Sequence, residues 1–194
     1  MHGGTWHNSN HERSFDRNTR GSLRCEPAFG AWYLESRRRT VQTKMHADLS
    51  TFLRTGKLGT LELGSSPENV RAKLGVPDDY TPEGAEPVIW QYGNCELMFA
   101  SAGLFSIELK PREDKGWSAL KFERDPAEAL AELSVDCFEQ QAAILGLTIV
   151  RRTTPSYMPE ATIFELANDV RVVFEGKRVL VVSALDLSLY PSRG

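Results

Sequence analysis

The fold is decided by residues 64–77, which read Gly-Ser-Ser-Pro-Glu-Asn-Val-Arg-Ala-Lys-Leu-Gly-Val-Pro, and by the segment Trp90-Gln91-Tyr92 that follows them. Ser65 or Ser66 can cap the start of a helix by accepting a hydrogen bond from a backbone N–H that lacks a helical partner. Pro67 suits the first helical turn, where its missing N–H costs nothing. The stretch therefore predicts a helix that begins near residue 66.

This helix has a defined inner face and a defined end. Val70 and Leu74 lie four residues apart and so share one side of the helix. Gly75 and Pro77 favour termination, which places the end of the helix at Leu74. Short turns join the strand-like runs that follow, so an antiparallel meander is expected. The runs cover residues 87–92, 95–100 and 104–110.

The second half of the chain repeats this order of elements. A helix is predicted over residues 128–145, and strands are predicted at residues 147–153, 161–166, 170–174 and 179–185. Residues 89–94 also match residues 163–168 in sequence pattern. We infer an α+β fold of two tandem repeats, each with short helices packed on one face of an antiparallel β-meander. A helix capped by Asp48 or Ser50 and a strand over residues 58–63 open the first repeat.

Composition divides the chain into four parts. Eight Lys and Arg residues accompany four Asp and Glu residues before Met45, whereas fifteen accompany twenty-two from there on. Residues 1–44 lack periodicity, so we expect a disordered head or an extension upstream of a true start at Met45. The expected remainder is a first repeat at residues 45–110, a linker at 111–127 and a second repeat at 128–190. The excess of acidic residues from Met45 onward disfavours nucleic acid as a partner.

Several classes of function lack their usual residues. A hydrolytic triad needs a positioned histidine, yet the four histidines lie in or beside the head: His2, His7, His11 and His46. Cys25, Cys95 and Cys137 form no metal-ligand motif, and the last two are expected to be small core or sheet residues. No nucleotide motif, metal site, signal peptide or membrane span is predicted. A cytoplasmic protein without a cofactor is expected.

One acidic loop could support chemistry. It holds Asp78, Asp79, Glu83 and Glu86, just before Trp90. Paired carboxylates can serve acid–base catalysis or hold a cation, but Asp and Pro also set turns in solvated loops. The turn interpretation is favoured because no second carboxylate cluster accompanies the loop.

The pattern G-x-[ST]-x-x-x-V-x-x-x-L-G-x-P…W-x-Y, carried by residues 64–77 and 90–92, resembles the signature of two related groups. These are the small outer-membrane assembly lipoproteins and the β-lactamase inhibitory proteins. The resemblance covers residues 58–110, and the second half lacks the G-x-[ST] opening. It implies helices on one face of an antiparallel sheet, in tandem as in the inhibitory proteins, and an open face that binds another protein.

Strand alternation, continued through two-residue turns, assigns side chains to the two faces of the sheet. The helix-covered face is expected to hold Ile89, Gln91, Met98, Ala100, Phe105, Ile107, Leu109, Ile163, Val170, Val172, Phe174, Val179 and Val181. The open face is expected to hold a protein-binding set: Trp90, Tyr92, Leu97, Phe99, Phe164, Arg171 and Arg178. Trp, Tyr and Arg supply much of the energy of protein interfaces. In the competing interpretation the other repeat, the head or a self-dimer covers this second face, and Trp90 belongs to the core.

The functional hypothesis is a non-enzymatic module that binds another protein of unknown identity through its open sheet face. An inhibitor or an immunity-type protein would act in this way. The alternatives are a small carboxylate-dependent enzyme that uses the acidic loop, residues 78–86, and a structural or assembly factor.

Overall fold

A computed structural model describes residues 44–82, 86–111 and 113–190. The expectations for the first 43 residues and for Glu83 fall outside this part of the chain. The described elements, in chain order, are β1 (Met45–Ala47), α1 (Leu49–Thr55), α2 (Pro67–Leu74), β2 (Asp79–Tyr80), β3 (Val88–Tyr92), β4 (Cys95–Ala100), β5 (Gly103–Leu109), β6 (Leu120–Phe122), α3 (Pro126–Ala131), α4 (Phe138–Ile144), β7 (Ile149–Thr153), β8 (Ala161–Leu166), β9 (Val170–Glu175), β10 (Arg178–Leu185) and a 3-10 helix (Leu187–Leu189).

The first two helices begin where the sequence predicts, and the second also ends there. The Asp48 carboxylate accepts the Thr51 N–H at 2.7 Å at the start of α1, and Gly56 closes that helix with a positive φ of 69°. At the start of α2 the Ser66 hydroxyl accepts the Asn69 N–H at 3.3 Å. Local side-chain chemistry therefore determines both helix starts.

Two predicted elements are wrong. The strand expected at residues 58–63 is a tight turn, in which Leu58 and Leu61 exchange backbone hydrogen bonds of 2.9 and 3.0 Å. The helix expected at residues 128–145 is broken between α3 and α4. In the break, the Gln141 side chain accepts the Ser134 N–H and donates to the Glu132 carbonyl. These bonds satisfy backbone groups that a continuous helix would have paired.

The sheet is the main element of the fold. Eight strands lie in the order β2-β3-β4-β5-β10-β9-β8-β7, and every neighbouring pair is antiparallel. Each half of the chain contributes four of these strands, and β5 and β10 meet at the centre. A separate parallel pair joins β1 to β6. The expected α+β class with a large antiparallel sheet is confirmed.

The core lies between one face of the sheet and the helices. Side chains from all four helices join the same buried cluster: Phe52, Leu53, Val70, Leu74, Leu130, Phe138 and Ala142. Three aromatic rings fill the second half of the core, with Phe138 lying 4.6 Å from Phe164 and 5.3 Å from Phe174 between centroids. In the first half, the buried Tyr92 hydroxyl donates to the Gly75 carbonyl at 2.9 Å, which ties β3 to the end of α2.

The expected faces are reversed in β3, β4 and β8. Five residues expected on an open face are instead buried in the core beneath the helices: Trp90, Tyr92, Leu97, Phe99 and Phe164. Five residues expected in the core alternate with them and lie on the other face: Ile89, Gln91, Met98, Ala100 and Ile163.

A β-bulge explains the reversal in the first half. The register shifts between Met98 and Phe99, so that Leu97 pairs with Ile107 rather than with Ser106. The bulge changes the phase of β3 and β4 relative to β5. Ile107 and Leu109 are core residues as expected. Phe105 lies outside the core cluster and packs on Tyr190, with 4.9 Å between ring centroids.

Turn length and a second bulge explain the differences in the other half. Three residues separate β8 from β9, as the predicted strand bounds allow, whereas the face assignment assumed a two-residue turn. Asp169 in this turn has a φ of 61°. Phe164 therefore pairs with Val172, which puts both in the core. A register shift between Val179 and Val181 turns Val181 away from the helices. Four predictions are confirmed by burial in the core: Val170, Val172, Phe174 and Val179.

Candidate protein-binding face

The sheet face opposite the helices, here called the open face, carries a central row of polar side chains. Each member is the cross-strand neighbour of the next. In order across the sheet the row is Gln91, Glu96, Glu108, Ser183, Arg171, Glu165 and Arg151. A row of this kind fixes the spacing of its charges, since neighbouring strands lie about 4.8 Å apart.

Two mostly apolar rows flank the central row. One holds Ile89, Met98, Ser106 and Leu185, and the other holds Thr153, Ile163, Val173 and Val181. The apolar members are only half-buried. Ser106 is buried, and its hydroxyl has no hydrogen-bond partner in the described part of the chain. The open face therefore combines aliphatic surface with a charged stripe.

The first half of the stripe has a net negative charge. Lys110 Nζ lies 2.7 Å from Glu96 Oε2 and 3.9 Å from Glu108 Oε2, so one ammonium serves two carboxylates. We call these three residues the acidic triad. Burial raises the pKa of Glu108, and the charge of Glu96 adds to that effect while Lys110 opposes it. Burial alone would lower the pKa of Lys110, but its hydrogen bond with Glu96 and the nearby carboxylates raise it overall. The ammonium is therefore held in its charged form.

The second half of the stripe has the opposite composition. Glu165 lies between two arginines, with Arg171 Nη2 3.1 Å and Arg151 Nη1 3.8 Å from its carboxylate oxygens. We call these three residues the basic triad. Two guanidinium groups share one carboxylate, so the formal charge of the basic triad is positive.

The predicted binding residues divide between the two faces. Arg171 lies in the basic triad, and Arg178 is exposed at the start of β10, opposite Glu175. The aromatic members do not lie near them. Trp90 packs in the core against Phe99, with 4.7 Å between ring centroids, and Arg71 of α2 covers its ring at 5.2 Å. The face that could bind a protein is therefore aliphatic and charged rather than aromatic.

The carboxylates of the acidic loop organise its backbone. Asp78 Oδ2 accepts the Gly93 N–H at 2.7 Å, and Asp79 Oδ1 accepts the Tyr80 N–H at 2.8 Å. Glu86 is exposed. In the residues that the structure describes, no group of three His, Cys, Asp or Glu side chains could hold a metal ion.

The two described cysteines differ. Cys95 is fully buried in the core beside Tyr92, as expected, and burial raises the pKa of its thiol. Cys137 is exposed at the start of α4, so its expected place in the core or sheet is wrong.

A groove lies on the helix side of the molecule. It encloses about 580 Å³ between α1, α3 and α4, over an apolar floor that includes Leu53, Leu133 and Leu147. Arg124 at its rim is paired with Glu132 through two hydrogen bonds. Arg54, also at the rim, donates to the Ser50 hydroxyl and carbonyl.

Sequence reasoning placed Arg171 on the open face but did not find the two triads. Five of the six members come from five different strands and Lys110 directly follows β5, so no local spacing reveals them. Within the triads, only Glu108 and Lys110 are two residues apart in the sequence, the spacing that puts two side chains on the same face of a sheet. Correct strand pairing, including the bulge in β5, is needed before Glu96 meets Glu108.

No helix among the described residues is long and apolar enough to cross a membrane.

Comparisons with known proteins identified no relative of this chain. No protein-family model matches the chain, and no curated protein or solved structure matches it at a significant level.

Proposed function

We propose that this protein is a non-enzymatic binding module that engages another protein through the open face. The observation that carries the proposal is the combination, on one sheet face, of half-buried aliphatic rows with two triads of opposite charge. Protein interfaces use such surfaces because apolar contacts supply affinity while placed charges select the partner and its orientation.

The layout of the chain supports an inhibitor-like or immunity-type role. The strand order places four consecutive strands on each side of the sheet centre, and the helices of both halves pack on the same face. This arrangement agrees with two tandem α/β repeats that share one continuous sheet. It also agrees with the resemblance to the β-lactamase inhibitory proteins, which implies binding through a sheet face.

Catalysis by the acidic loop is less favoured than binding. Asp78 and Asp79 each accept a backbone N–H, a role that shapes turns. Cys95 has no access to solvent. A structural or assembly role would use the same open face and differs only in the partner.

Site-specific photo-crosslinking in cells tests the proposal. A photoreactive amino acid is placed at Met98 or Val173 on the open face and, as a control, at the exposed Thr51 of α1. We expect protein adducts from the first two positions and none from Thr51. If neither open-face position forms an adduct with any protein, the proposed function is wrong.

A further inference from the structure

The charges of the open face are self-complementary about its central strand. Resting on the proposed function, we infer that the open face binds a second copy of this chain, related by a two-fold axis that runs along β10. Such an interface is isologous, because each copy presents the same surface to the other.

The positions of the triads define the axis. The acidic triad lies on β4, on β5 and at the residue after β5, on one side of β10. The basic triad lies on β7, β8 and β9, on the other side. A two-fold axis along β10 exchanges these sides, so each acidic triad meets the basic triad of the partner copy. An in-plane axis perpendicular to the strands would place like charges together, which is unfavourable.

The strand pairing predicts which charges meet. Glu108 on β5 and Arg171 on β9 are both cross-strand neighbours of Ser183 on β10. They therefore lie at equal distances on opposite sides of the proposed axis. In the assembled pair, Glu108 of each copy lies opposite Arg171 of the other, at two equivalent places.

The residues along the axis permit close approach. β10 presents Val181, Ser183 and Leu185 to the open face. Ser183 is small and already buried between its neighbours, so it does not obstruct the centre. Val181 and Leu185, on either side of it, are half-buried and would each meet their own copy. Apolar contact therefore lies on the axis, with the charged pairs outside it.

The size of the face suits a modest interface. Eight strands about 4.8 Å apart and roughly six residues long, at about 3.3 Å per residue, give a flat area of about 750 Å². Stable interfaces bury about 800 Å² on each partner. This area is modest and has few aromatic side chains, so we expect the dimer to dissociate on dilution. Because charged pairs hold it together, it should also weaken in salt.

A charge-swap experiment tests the inference. The mass of the full chain is measured by sedimentation at several protein concentrations, in low salt and in high salt. We expect a concentration-dependent dimer of the 21.7 kDa chain in low salt. Glu108→Arg and Arg171→Glu should each weaken dimerisation about tenfold or more, because each places like charges in contact. Lys121→Glu, at the exposed position of β6, is the matched control and should leave the dimer unchanged.

Mixing the two variants gives the decisive result. The mixed dimer has opposite charges at both equivalent places, so it should form when neither variant dimerises alone. Circular dichroism of each variant checks that it is folded. A wild-type chain that stays monomeric at about 100 µM in low salt overturns the inference, as do two reversals that leave the dimer intact or a mixture that fails to associate.

The crosslinking experiment separates this inference from the proposed function. Adducts of twice the chain mass from Met98 or Val173 support self-association. Adducts with a different protein alone leave the proposed function standing and overturn the second copy as the partner.

Discussion

The two faces of the sheet differ in a way that average hydrophobicity does not reveal. In β8, Phe164 is fully buried beneath the helices, while its chain neighbour Ile163 lies half-buried on the open face. Both faces carry many apolar residues. The core beneath the helices has most of the aromatic rings, and the open face has the paired charges. Side-chain size and charge pairing therefore distinguish the faces, because large rings need the volume between sheet and helices.

Truncating the aromatic core is expected to have the largest effect. Phe164→Ala removes a ring that packs on Phe138 and Phe174. We expect a loss of about 3–5 kcal/mol in the free energy of unfolding, measured by urea denaturation. Ile163→Ala is the control on the open face and should cost about 1 kcal/mol. Equal losses would mean that both faces are buried in solution.

Loosening the contact between α2 and the buried face of the sheet is expected to have the next largest effect. Leu74→Ala leaves a cavity beside Tyr92 and should cost about 2–5 kcal/mol. Val76→Ala removes an apolar side chain that is 73 % exposed just after the helix, and it should change stability by less than about 0.5 kcal/mol. Chemical denaturation of the two variants side by side measures the contrast. A small loss for Leu74→Ala would show that α2 does not cover the sheet tightly.

The open face should show a pH dependence that the core lacks. Because the pKa of Glu108 is raised, its favourable contribution is complete below the ordinary glutamate value of 4.5 and is lost as pH rises through the raised pKa. Glu108→Gln removes this loss, so the variant should gain stability relative to wild type as pH rises from 4.5 to 7.

The control for that experiment is a surface glutamate whose pKa is lowered rather than raised. The hydrogen bond from Lys57 lowers the pKa of Glu62, so its contribution is present above the ordinary value and lost in acid. Glu62→Gln should therefore show no gain at neutral pH. Denaturation at several pH values, at concentrations too low for dimers, measures both. A gain for Glu108→Gln that is equal at all pH values would contradict the assigned cause.

Removing the Ser106 hydroxyl is expected to have the smallest effect. This hydroxyl is buried between Met98 and Leu185 and has no partner within the described residues. A buried polar group without a hydrogen bond costs stability, so Ser106→Ala should be neutral or stabilising by up to about 1 kcal/mol. A loss above about 1 kcal/mol in a urea titration would show that the hydroxyl has a partner.

Local patterns in the sequence predicted much of the fold. Asp48 and Ser66 mark helix starts because their side chains cap N–H groups only three residues away. The turn at Gly93-Asn94 is equally local, and it correctly joins β3 to β4. The candidate site was harder to predict from the sequence. Of the seven expected binding residues, only Arg171 and Arg178 lie on the open face.

Local sequence patterns determined the strands of the two antiparallel meanders and the positions of the two short N-terminal helices, since each depends on neighbours along the chain. Tertiary structure decided which face each strand buries. One extra residue, Phe105 in the β5 bulge or the third residue of the turn before Val170, reverses the side of every residue beyond it. The period of a strand is two, so a single insertion that local propensity does not reveal decides whether Trp90 or Gln91 meets the helices.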